Sequence, residues 1–234
     1  MLMVEGYFRE VFKDNNGKSQ TKIHYSEKNI GYWRGKEYKR HSVGEIEGFC
    51  GWHKLKELCN SNQTIRNKSL PAFMFSTGCR VSEVNQLRLS HFNLSDPDFV
   101  QCLHIPIVKQ KKIGIKQRTF SFPKAEPLYH IIKEYLEYVK KISRGFDPLL
   151  FGLCRSQIWK IVVKQGRDNG LELWAHWYRS QRASQLGYEY LFTAAELSEW
   201  FKVIDPRWAL RYCKLGDQGL RKIMRTRAPE TYQM

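Results

Sequence analysis

The sequence predicts an α+β domain that is mainly α-helical and carries one small antiparallel β-sheet or hairpin. Three observations lead there. Apolar residues recur at helical spacing from Ser42 onward, the period changes to two only between about residues 99 and 123, and glycines at 145, 166, 170 and 187 punctuate the later helices.

The first 40 residues or so are polar, basic and aromatic, and alternate on both sides of Asp14-Asn15-Asn16-Gly17. Asn-Gly between alternating segments is a hairpin signal, so residues 1–41 read as a basic N-terminal arm or hairpin ending in a basic linker, "YWRGKEYKRH". Ser42 and Glu45 fit a Ser-x-x-Glu capping box, and Ile46, Phe49 and Leu55 extend an apolar stripe behind it. A second helix is expected over residues 64–76, with Pro71 arguing for a bend or a later start. A third, short helix covers 81–88. Leu103, Ile105 and Ile107 then alternate, as do Phe120 and Phe122, which places two antiparallel strands around "KQKKIGIKQ". Helices follow at about 125–142, 155–165, 176–187, 194–203 and 206–224, the last opened by Asp205-Pro206 as cap and first turn. The main domain is therefore 42–215, with a basic tail at 216–234.

Composition narrows the function. The chain has 234 residues and 42% hydrophobic content, enough for a real core. It has no apolar run of about 18 residues and no signal-peptide pattern, which predicts a cytoplasmic protein without a membrane partner. Thirty-nine Lys+Arg against 23 Asp+Glu give a net charge of +16, which points to a polyanion and most simply to nucleic acid. An anionic membrane is the rival partner, but the basic residues spread along the chain and do not gather on one amphipathic helix. Six cysteines lie far apart, without the paired spacing of a zinc site, and read as reduced, mostly buried thiols. No metal cluster and no P-loop stands out in the sequence.

Three separated stretches could carry chemistry. In "STGCRVSEVNQL", Gly78 permits a sharp turn after a helix, and Arg80 then sits between two helices. A guanidinium fork can grip a phosphate through paired hydrogen bonds, and Glu83, three residues on, can hold it in position. "KKIGIK" places lysines in the hairpin turn. "HWYRSQRASQL" puts His176 and Arg179 on one helical face, and "WALRYCKL" follows with Tyr212.

These pieces, in this order, resemble the catalytic domain of the tyrosine recombinases, the phage-integrase and Xer-like family, over about residues 42–215. Thr77, Gly78, Arg80, Ser82, Glu83 and Leu87 match the family's first arginine segment. The resemblance implies that Arg80 and Arg179 grip one DNA phosphate and that His176 hydrogen-bonds it or shuttles a proton. Tyr212 would attack to give a 3′-phosphotyrosine, and a turn lysine would protonate the leaving 5′ oxygen. Lys109, Lys111, Lys112 and Lys116 compete for that last role, and Lys112 best matches the family's lysine two residues before a turn glycine. Tyr232 is an outside candidate for the nucleophile. Most relatives carry a Leu-Gly-His turn shortly before the tyrosine. Here "SEWFKVIDPRWALRY" has none; Lys202 is the expected substitute donor and Trp200 a weaker one, which suggests a divergent, archaeal or viral branch.

The implied activity is site-specific cutting and rejoining of double-stranded DNA by a homo-oligomer, a tetramer on DNA, without metal or nucleotide. Lys109, Lys111, Lys116, Arg118 and Arg182 are expected DNA contacts, with Lys36, Lys39 and Arg40 tracking the backbone. By family habit the tail at 216–234 could be exchanged between protomers. The stretch before Ser42 is too short for the helical core-binding domain most relatives carry. The rival functions are a type IB topoisomerase-like relaxing enzyme and a catalytically inactive DNA-binding regulator on the same fold.

Overall fold

The computed structural model describes residues 49–62, 64–108, 116–174, 176–203, 208–210 and 212–213 in full, and the backbone of 2–4, 7–13, 19–25, 30–33, 36–39 and 207. The chain divides into two compact units, Met1–Glu47 and Gly48–Met234.

The first unit holds five strands. β1 (Leu2–Val4), β2 (Tyr7–Lys13) and β3 (Ser19–Tyr25) form an antiparallel sheet in which Tyr7 faces Tyr25 and Lys13 faces Ser19. β4 (Ile30–Trp33) and β5 (Lys36–Lys39) pair as a second antiparallel ribbon. The stretch read above as a basic linker is thus mostly strand. Its Tyr32, Trp33 and Tyr38 are good strand formers, and their β-propensity outweighs the local charge. Ser42, Glu45 and Ile46 lie outside the described residues.

The second unit contains the helices and the three-stranded sheet. α1 (Trp52–Asn60) starts later than the capping box suggested. α2 (Ile65–Thr77) is capped by Thr64, whose hydroxyl accepts from the Asn67 N–H, and every residue from Ser69 to Thr77 is buried. Leu70, Phe73, Met74 and Phe75 are fully enclosed, each worth roughly 1.5–3 kcal/mol of burial. α2 packs against α1, α4 (Tyr129–Ser143) and α6 (Trp177–Tyr188), which makes it the central strut of the core.

Pro71 lies inside α2 and does not delay its start. Proline has no N–H for the Asn67 carbonyl one turn back. That carbonyl is met by Gln165 Nε2 of α5 (Arg155–Asp168) at 3.4 Å, and Gln165 Oε1 in turn accepts from the Tyr178 hydroxyl of α6 at 3.2 Å.

The sheet has the order β6 (Phe92–Asn93), β7 (Phe99–Pro106), β8 (Gln117–Pro123), all antiparallel. Its register shifts between Cys102 and Ile105, where His104 takes a left-handed backbone at φ 54°. This bulge resets the alternation. Val100, Cys102, Ile105 and Ile107 point inward, whereas Leu103, expected on the inner face, is only half-buried.

Between α2 and the sheet lies α3 (Val81–Val84), shorter than the expected helix over 81–88. The carboxy-terminal part consists of α7 (Ala194–Phe201), capped by Thr193 and Glu196, and a single turn, α8 (Arg207–Leu210). Tyr212 follows α8 in a turn, its N–H on the Ala209 carbonyl at 2.9 Å; the rest of the expected helix over 206–224 lies outside the described residues.

Candidate active site

The site grows from the carboxy-terminal end of α2. Gly78 caps that helix in the left-handed conformation, φ 56° and ψ 25°, which an L side chain rarely adopts. A side chain is excluded twice over: a Cβ at Gly78 would lie 2.5 Å from Phe201 Cε1. Two cations from distant elements meet the successive carbonyls of this turn. Arg118 Nη2 of β8 donates to Thr77 O at 2.8 Å, and Arg179 Nη1 of α6 donates to Gly78 O at 2.7 Å.

The chain leaves the turn through Arg80, an extended residue just ahead of α3. Glu83, fully buried, takes the Arg80 N–H on Oε2 and Arg80 Nη1 on Oε1, each at 2.8 Å. The same Oε2 lies 4.0 Å from both Arg179 Nη1 and Arg118 Nη2. One carboxylate therefore organises three guanidinium groups.

Arg179 is 4% exposed, with its guanidinium 4.4 Å from the Phe201 ring centroid and 5.5 Å from that of Trp208. Burial, followed by the like charges of Arg118 and Arg80, pulls its pKa down to about 9, which leaves it charged at neutral pH. Its Nη2 is buried and has no hydrogen-bond partner among the described residues. A buried donor of this kind is costly unless a ligand oxygen meets it. Arg80 keeps a partly open side chain, 16% exposed.

His176 is exposed and caps the start of α6 one turn before Arg179. Tyr212 is 4% exposed; its hydroxyl donates to Ser180 Oγ at 3.3 Å, and its ring lies 4.9 Å from Trp208. Ser180 follows Arg179 on α6, so the phenol is seated beside the second arginine's own turn. The seat needs Gly187, since a Cβ there would come within 2.2 Å of the Tyr212 carbonyl oxygen. Lys202 occupies a left-handed position at the end of α7, φ 48°, directly after Phe201, and pairs with Glu199.

Two expected DNA contacts are corrected. Arg118, 2% exposed, is spent on Thr77 O, on Trp200 O at 3.1 Å and on the rings of Phe120, Trp200 and Phe201. Arg182 is fully buried: its Nη1 donates to Glu126 Oε1 at 2.6 Å and Gln185 Oε1 at 2.9 Å. It shares a helix face with Arg179 but lies one turn deeper, where Glu126 neutralises it. Lys116 remains exposed on the hairpin, and Lys109, Lys111 and Lys112 lie outside the described residues. Trp200 gives its carbonyl to Arg118 and its ring to Phe120 at 4.4 Å.

Ser180, Phe201 and Gly187 were not among the expected site residues. A serine, a phenylalanine and a helix-interior glycine carry no chemical signature in sequence, and their roles arise only where α6, α7 and the Tyr212 turn meet. Among the described residues, no three His, Cys, Asp or Glu side chains cluster to hold a metal, and no helix is long and apolar enough to cross a membrane.

Comparisons with known proteins agree with this architecture. The phage integrase family profile matches residues 53–190, more than half of the chain. The XerA recombinase structure superposes with a TM-score of 0.57 at 16% identity, over 79% of this chain and 66% of that one. The XerH site-specific recombinase, solved on difH substrate before cleavage, gives 0.56 at 19% identity, over 90% and 58%. Its post-cleavage complex on palindromic difH gives 0.57 at 20% identity, over 90% and 60%. The chain thus spans less than two thirds of each of these solved proteins. A search of curated proteins gives no match. The mainly helical unit with its three-stranded antiparallel sheet is the tyrosine recombinase catalytic fold, and the profile match over 53–190 makes this chain a member of the phage integrase family.

Proposed function

We propose that the protein is a tyrosine-type site-specific recombinase that cuts and rejoins double-stranded DNA. The carrying observation is the convergence of Arg80 and Arg179 on Glu83, with the Arg179 Nη2 donor buried and unmatched among the described residues. A phosphodiester oxygen supplies the missing acceptor, and two forks on one phosphate stabilise the charge that builds at phosphorus during displacement.

In the reaction, the Tyr212 oxygen attacks the scissile phosphorus. A P–O bond to Tyr212 forms on the 3′ side while the P–O5′ bond breaks. The phenolic proton passes to a base at the site, with His176 placed one turn from Arg179 for that work, and the departing 5′ oxygen takes a proton from a hairpin lysine, Lys112 by resemblance. A 5′ hydroxyl from another strand reverses the steps, so the phosphodiester's energy is retained and no nucleotide is consumed. Lys202, ending α7 beside Phe201, is the donor proposed for the position where relatives carry histidine. Because Tyr212 rests on Ser180, cleavage requires the phenol to exchange that hydroxyl for the phosphate. Double-stranded DNA is the partner, and strand exchange by this chemistry calls for a homotetramer on DNA. The charge of +16 predicts DNA affinity that falls steeply with salt.

The test is a nicked suicide substrate, which traps the covalent intermediate. Wild-type protein is expected to give a DNA–protein adduct on a denaturing gel, and Tyr212→Phe to give none. Absence of adduct with wild type, or its persistence in Tyr212→Phe, overturns the assignment.

A further inference from the structure

Arg118 has the residue type of a DNA contact and the environment of a core residue. It is 2% exposed, so its charge cannot meet a DNA backbone at the surface. It bridges three elements: from β8 it holds Thr77 O at the end of α2 and Trp200 O on α7. Its third neighbour is the Glu83 carboxylate, 4.0 Å away. The rings around it, Phe120, Trp200 and Phe201, form a pocket that an apolar side chain could fill without the cost of desolvating a third cation beside one carboxylate. A guanidinium retained there is explained by what it fixes.

What it fixes is the turn itself. The carbonyls of Thr77 and Gly78 are successive. Arg118 holds the first and Arg179 the second, so the peptide between α2 and Arg80 is clamped from two sides. The rings are shared as well, since Phe201 faces both Arg118 and Arg179.

We propose that Arg118 is a positioning residue for catalysis: one buried fork registers α2, β8 and α7 so that Arg80 and Arg179 address the same phosphate. This rests on the recombinase reading above. A lysine cannot substitute, because a single ammonium lacks the planar fork that spans two carbonyls on different elements.

The experiment uses the full chain with Arg118→Met, Arg118→Lys and Arg118→Ala, measuring the rate constant and the amplitude of adduct formation at saturating nicked DNA, and DNA half-saturation separately. The expected result is a rate constant lowered by about tenfold or more, in line with the sensitivity of displacement to sub-ångström placement, while half-saturation moves by less than about twofold. Millimolar guanidinium should restore part of the Arg118→Ala rate. A purely structural role would lower the amplitude, as fewer molecules fold, and leave the rate constant of the folded ones unchanged. If the methionine variant fails to fold, the lysine variant carries the test. Wild-type adduct with unaltered rate constants in the variants sinks the Arg118 role alone; no adduct with wild type sinks the recombinase reading and this role together.

Discussion

Arg80, just ahead of α3, and Arg179, on α6, face the two oxygens of one buried carboxylate. Arg80 Nη1 is 2.8 Å from Glu83 Oε1, and Arg179 Nη1 is 4.0 Å from Oε2. Arg118 joins them at 4.0 Å, so among the described residues three guanidinium groups face a single negative charge. The imbalance is a standing demand for an anion, the place that the proposed recombinase reading gives to a DNA phosphate.

Glu83→Gln should therefore do two things. It removes the only carboxylate within 4.0 Å of these three cations among the described residues and should cost about 3–5 kcal/mol, readable as a lower denaturant midpoint. Adduct formation should also be lost in the fraction that still folds, because Arg80 no longer has its charged anchor.

The Arg179 pKa, pulled down to about 9 from the usual guanidinium range, sets a pH dependence. The folded state binds this proton less tightly than the unfolded chain, so the charged group opposes folding below pH 9, and that opposition is relieved as pH rises from 9 toward the unfolded guanidinium's own range. An oxyanion in the cradle favours the charged form and offsets the cost. At neutral pH and a concentration 100 times its dissociation constant, sulfate should stabilise the fold by about 2.7 kcal/mol, read as a higher melting temperature. The effect should fade as pH rises through 9 and be largely missing in Arg179→Gln.

At Gly78, alanine must adopt φ 56° and place a methyl 2.5 Å from Phe201. The backbone alone costs about 1–2 kcal/mol, and the clash pushes Phe201 off the Arg179 face. Lower thermal stability and slower adduct formation are expected together.

Gly187→Ala should separate the two. Alanine inside a helix is favoured over glycine by about 1 kcal/mol, yet its methyl would fall 2.2 Å from the Tyr212 carbonyl oxygen. The expected outcome is an α6 that stays folded, shown by an unchanged circular dichroism spectrum, with reduced adduct formation because the nucleophile's turn is displaced.

The sequence was most informative where chemistry and local geometry coincide. Thr77-Gly78-x-Arg80 announces a left-handed turn and a guanidinium fork within four residues, and Glu83 stands one helical turn from the arginine it holds. The type and order of α2, α4, α5, α6, α7 and the β7–β8 pair followed from periodicity and caps. Burial of individual arginines did not. Arg118 and Arg182 look like surface cations in a basic chain, and only tertiary partners, the Thr77 and Trp200 carbonyls for one and Glu126 for the other, draw them inside. The bulge at His104 was equally hidden, because an inserted residue shifts which side chains face the core without changing their apolar character.

Pro71 carries a last consequence. By withholding one amide proton at mid-helix, it leaves an acceptor that Gln165 and, through it, Tyr178 can reach, so a vacancy in one helix becomes the rivet joining three. Tyr178 immediately precedes Arg179. The spacing between the helix that ends in the glycine turn and the helix that brings Arg179 is thus gauged at Asn67, about three turns from Gly78, by groups outside the arginine cluster.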